Sequence, residues 1–108
     1  MLVVEFDSQE HNYLMVDEEP YFLLQTDERF LVTRDRCPHR GGPLHLGEWD
    51  RRTGSLTCPW HGTCLMRTAL VRRSVPAVRC GTTITAIFPA PSGTSVQCFQ
   101  KTVLTNDK

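Results

Sequence analysis

Two short stretches, Cys37-x-His39 and Cys58-x-x-His61, put two thiols and two imidazoles into one small chain. Thiolates are soft anionic donors and imidazoles are borderline neutral ones, so the set suits a transition metal. A metal reading requires the fold to bring the two stretches side by side. Structural zinc is one use for two cysteines and two histidines, bound tetrahedrally. Its usual spacing pairs like with like, Cys-x(2–4)-Cys followed by His-x(3–5)-His. Here each pair is mixed and the first is separated by a single residue, which makes zinc the weaker reading. The residues around the pairs have roles of their own. Gly41, Gly42 and Gly62 permit close backbone approach and positive φ. Pro38, Pro43 and Pro59 stiffen the loops and lower the entropy lost on ordering them.

In full the stretches read Cys37-Pro38-His39-Arg40-Gly41-Gly42-Pro43-Leu44 and Cys58-Pro59-Trp60-His61-Gly62. Both resemble the boxes of Rieske-type ferredoxins and of the Rieske domains of ring-hydroxylating oxygenases. The resemblance extends to the strands before the first box and to the proline-containing segment after the second. It implies one Rieske [2Fe–2S] cluster as the cofactor, with Cys37, His39, Cys58 and His61 as the metal ligands and no catalytic residue. In such a centre two histidines replace two cysteines on one of the irons. Two ferric ions, two sulfides and two thiolates sum to zero charge, so an electron is accepted more readily than by a cluster with four thiolates. The potential accordingly falls in a window of about −150 to +300 mV. The imidazole nitrogens away from iron bring pH dependence. The family places its histidines at an exposed tip facing the redox partner.

Departures from the family narrow the subtype. In the Rieske proteins of cytochrome bc complexes each box carries a further cysteine, and the two form a disulfide. The matching positions here are Gly42 and Trp60, so that bond is excluded. Where those proteins use a serine toward a bridging sulfide, this chain has Thr63, whose hydroxyl can still serve. Leu65, Met66 and Ala69 replace the usual aromatic, Asp or Asn, and Gly, leaving the second loop atypical on its C-terminal side. Pro76 matches a proline that covers the cluster from below in related proteins, with a plain loop proline as the alternative.

Length and charge fit a small carrier. The chain has 108 residues, enough for one core, and a formal net charge of zero. It therefore offers no basic patch for nucleic acid and no strong field for steering. No apolar run approaches the roughly 18 residues of a membrane span. Leu2-Val3-Val4 is broken at once by Glu5 and Asp7, unlike a signal peptide. The expectation is a cytoplasmic, soluble monomer with no membrane contact. Cys64, Cys80 and Cys98 remain beyond the two ligands, and without a signal peptide they read as reduced thiols. Cys80 and Cys98 lie in strand-like runs and are expected to be buried small hydrophobes. Cys64, three residues after His61, is either a redox-active or substitute ligand or, more simply, an ordinary thiol. His45 lies near the first box and His11 in a polar loop, and neither needs a role. Arg51-Arg52 and Arg72-Arg73 are either partner contacts or solvated surface.

The expected fold is all-β: a Rieske-like small sandwich or barrel of antiparallel strands with an inserted cluster-binding subdomain of two loops. Short runs rich in β-branched and aromatic residues predict strands at Leu2–Phe6, Tyr13–Val16, Tyr21–Gln25 and Phe30–Thr33, with a polar turn at Thr26-Asp27-Glu28. Glu48–Asp50 and Ser55–Thr57 predict a hairpin turning through residues 51–54. Leu70–Arg72, Ala77–Cys80, Thr82–Phe88 and Ser95–Phe99 predict later strands, and Thr105–Lys108 a frayed end. The whole chain, 1–108, reads as a single domain whose cluster-binding subdomain occupies about residues 36–66.

The resemblance implies a one-electron carrier rather than an enzyme, a component of an oxidoreductase system. Its partners would be a flavoprotein reductase and a terminal oxygenase. An oxygenase catalytic subunit needs a further mononuclear iron held by two histidines and a carboxylate. Only His11 and His45 remain for that, so the chain alone is not one. The alternatives are a small Rieske subunit of a larger oxidoreductase, of oxygenase or nitrite-reductase type, and a redox-sensing or structural metal-binding module.

Overall fold

The computed structural model describes residues 1–25, 29–37, 41–50, 52–60 and 62–103. The predicted turn at 26–28, the frayed end at 105–108, Arg51, and the expected ligands His39 and His61 lie outside the described residues. Among the described residues eleven strands form three antiparallel sheets. Strands β1 (Leu2–Asp7), β9 (Ala77–Cys80) and β10 (Thr83–Phe88) make one sheet in the order β1-β10-β9. The central sheet runs β11-β2-β3-β4-β8, from Val96–Phe99 through Tyr13–Val16, Glu19–Gln25 and Phe30–Arg34 to Ser74–Val75. The third is small: β5 (Glu48–Asp50), β6 (Ser55–Thr57) and β7 (Cys64–Leu65). The all-β expectation holds.

The central sheet is buried on both faces, and strand β3 shows why. Pro20 to Leu24 is a continuous buried run, the pattern of a strand with no solvent face. Successive side chains point to opposite faces. Tyr21 and Leu23 enter one core with Leu2, Phe6, Leu14, Ile84 and Phe88, beneath the first sheet. Phe22 and Leu24 enter a second core with Leu44, Leu56, Leu65, Leu70, Cys37 and Cys58. The first core is the ordinary interior of a sandwich. The second joins the central sheet to the small one and contains both expected thiol ligands.

Two expectations are overturned. Leu70–Arg72 is not a strand but the end of a helix, α1 (Arg67–Arg72). A run of two apolar residues carries no usable period. Of the pair only Leu70 is buried, while Val71 faces solvent. The turn is closed by Ser74, whose hydroxyl donates to the Leu70 carbonyl at 2.7 Å. Cys80 is exposed rather than buried, because β9 is the free edge of its sheet. Cys98, on β11, is half-buried, and burial pushes its thiol pKa up.

Candidate metal centre

The first box leaves β4 and the second leaves β6, and the two loops share one backbone frame. In the first, the Cys37 amide donates to the Gly42 carbonyl at 2.9 Å, and the Gly41 amide donates back to the Cys37 carbonyl at 2.8 Å. In the second, the Cys58 amide donates to Thr63 at 2.8 Å, and the Gly62 amide donates to Cys58 at 3.0 Å. Each loop therefore closes from its cysteine to the fifth residue on and is pinned at the fourth. That fourth residue is a glycine at positive φ in both, +75° at Gly41 and +69° at Gly62, a conformation open to glycine at little cost. The frames match although the histidine follows its cysteine by two residues in one loop and by three in the other.

Both cysteines are interior, Cys37 at 2% exposure and Cys58 at 1%, in the core shared by the central and small sheets. Gly42 brings the loops together. A Cβ at position 42 would lie 2.7 Å from Cys58 Sγ, 3.3 Å from Trp60 Cδ2 and 3.4 Å from Trp60 Cβ. Only a residue without a side chain lets the first loop close over the second thiol. The 3.4 Å separation of the two Cβ positions is close to the spacing across a disulfide. Positions 42 and 60 thus meet, and the Trp60 side chain there is 62% exposed. Cys64 lies on β7, exposed, paired across the ladder with Thr57.

One buried cluster was not legible as a site. Asp35, two residues before Cys37, is 4% exposed. Its carboxylate accepts the His45 backbone amide at 2.7 Å and His45 Nδ1–H at 2.6 Å. The Tyr13 hydroxyl also hydrogen-bonds it, and the Tyr13 and His45 rings meet edge to face, centroids 5.2 Å apart. His45 follows the first box directly, so Asp35 and His45 tie the loop's entry to its exit. The only sequence signal was a carboxylate at the end of an apolar strand. Burial raises the Tyr13 pKa well above its ordinary value, and the Asp35 charge and hydrogen bond add to that.

The described part of the site fits an iron–sulfur group. It offers two buried thiols in matched loops, and the close approach at Gly42 leaves no room for a side chain there. The model of the Rieske [2Fe–2S] domain family matches residues 2–100, and the chain belongs to that family. Rieske domains bind a [2Fe–2S] cluster and act as electron-transfer components that pass electrons to partner proteins. Among curated proteins the chain is similar to apoptosis-inducing factor 3 of Mus musculus and of Homo sapiens, each 40% identical over 42 residues. The match covers 39% of this chain and 7% of each relative, so the chain spans a small part of the proteins it resembles. No solved structure matches it. Among the described residues no helix is long and apolar enough to cross a membrane.

Two predictions come from this geometry. Gly42→Ala forces a methyl against Cys58 Sγ, and overpacking of this kind costs about 1–3 kcal/mol. Purified Gly42→Ala protein should carry much less iron and sulfide per chain than the parent and melt earlier. The second concerns Tyr13. A phenol whose folded pKa is raised adds stability that is complete below its unfolded pKa, about 10, and is lost as pH rises above it. Denaturant unfolding of the loaded protein should therefore show stability falling more steeply above about pH 10 in the parent than in Tyr13→Phe. Identical slopes would contradict this reading of Tyr13.

Proposed function

We propose that this chain is a one-electron carrier whose cluster is held by Cys37, His39, Cys58 and His61, and which passes electrons from a flavoprotein reductase to a terminal oxygenase. It acts as a single domain over 1–108, with residues 36–66 as the cluster-binding subdomain. The observation that carries this reading is the pair of loops with one frame, closed on each other at Gly42 with both thiols buried.

The cluster supplies a reversible one-electron centre. The residues around it supply the rest. Cys37 and Cys58 give the anionic donors, and His39 and His61 give the neutral ones that keep the oxidised site uncharged. Leu44, Leu56, Leu65 and Leu70 surround the thiols with apolar atoms and exclude water from them. Loops already fixed by their own hydrogen bonds change little when the electron arrives. A second reading, a Rieske subunit or module of a larger oxidoreductase, is favoured by one fact: the matched relatives are far longer than the stretch they share with this chain.

Substitution at the four positions separates ligands from bystanders. Alanine at Cys37, His39, Cys58 or His61 is expected to abolish cluster retention, read as loss of iron, sulfide and visible absorbance. Cys64→Ala and Cys98→Ala should load fully and reduce reversibly by one electron. A protein that binds one zinc and is redox-silent, or one that loses its cluster with Cys64→Ala, would overturn the assignment.

A further inference from the structure

Arg73 follows helix α1 and is held at both backbone ends. Its amide donates to Ala69 and Leu70 of the helix, each at 3.2 Å, and its carbonyl accepts the Arg34 amide of β4 at 3.1 Å. Its side chain turns back onto the first box rather than out to solvent. Nη2 donates to the carbonyl of Arg36, the other half of the peptide bond that carries the Cys37 amide. Nε is buried and has no hydrogen-bond partner among the described residues. An orphaned buried donor on a charged group is costly unless a compensating charge lies close. Burial and the neighbouring Arg34 lower the Arg73 pKa, while Cys37 and Glu19 hold it up. A guanidinium nevertheless stays protonated in proteins. Exposed Arg36 is spent differently, reaching Glu19 at 3.8 Å and the Glu18 carbonyl.

We propose that Arg73 sets the reduction potential of the cluster, by fixing a permanent positive charge against the backbone of the ligand Cys37. This rests on Cys37 being a ligand. The oxidised site, with two thiolates and two imidazoles, has no net charge, and one added electron makes it negative. A cation held beside it stabilises the reduced form more than the oxidised one and raises the potential. The charge is partly buried and anchored, so salt screens it less than the exposed arginines nearby. The residue acts through Cys37.

The test is a dye-mediated redox titration of the full-length loaded protein, with the EPR spectrum of the reduced form recorded on the same samples. R73Q and R73M remove the charge. At a fixed applied potential each should lower the ratio of reduced to oxidised cluster by about tenfold, a downward shift of about 59 mV for a one-electron couple. R73K keeps the charge and should stay within about threefold of the parent, because the effect is electrostatic. R34Q, at an exposed neighbour, should shift the ratio less than R73Q, and the R73Q difference should persist at high salt. An unchanged ratio in R73Q or R73M with an intact Rieske signal would overturn this inference alone. So would an R73K ratio that falls as far as tenfold. A parent protein without a Rieske signal would overturn the ligand assignment, and this inference with it.

Discussion

The structure depends on one shared interior, the apolar layer in which the central sheet meets the small β5-β6-β7 sheet. Both cysteines lie there, among leucines from the first box, from β6, β7 and α1. The layer exists because β3 has no solvent face: Phe22 and Leu24 point into it, while Tyr21 and Leu23 support the sandwich on the other side. The loops can then close on each other because position 42 is empty of side chain. Without that layer the two boxes would be distant loops on separate sheets. With it, both thiols lie in one interior.

Polar groups then fix what the apolar layer brings together. Asp35 links the entry of the first loop to its exit through His45, with Tyr13 on the same carboxylate. Arg73 adds a further hold, through the carbonyl before Cys37. The result is a first loop restrained near its entry by both a buried acid and a cation. The second loop is restrained by its own backbone bonds and by β7, which follows it directly. Such asymmetry fits the sequence, whose departures from the family pattern cluster after the second box.

Most strands were legible because their signal is local. Tyr13–Val16, Glu48–Asp50, Ser55–Thr57 and Ala77–Cys80 stand where the sequence predicts them, the second and third as the two arms of a hairpin. The family was legible too, since the boxes carry their spacing in a few consecutive residues. What sequence could not give depends on neighbours far along the chain. Leu70–Arg72 is helical because Leu70 finds a place in the second core, a fact of tertiary packing. Cys80 is exposed because, among the described residues, β9 ends its sheet. The Asp35–His45 pair spans the whole first box, and Arg73 meets that box only after the chain has passed through the small sheet and turned a helix. His39 and His61, the two histidines we propose as ligands, rest on their place in the two boxes and lie outside the described residues.

The most direct test of the account is therefore the one that counts nitrogen at the reduced centre. Anaerobically purified protein, reduced with dithionite, should give a rhombic EPR signal whose average g lies below that of all-cysteine [2Fe–2S] proteins. Pulsed measurements on that signal should resolve coupling to two imidazole nitrogens, as a Rieske centre requires. Iron quantified on the same sample should match one cluster per chain. A signal of all-thiolate type without nitrogen coupling, or zinc with no signal, would contradict it.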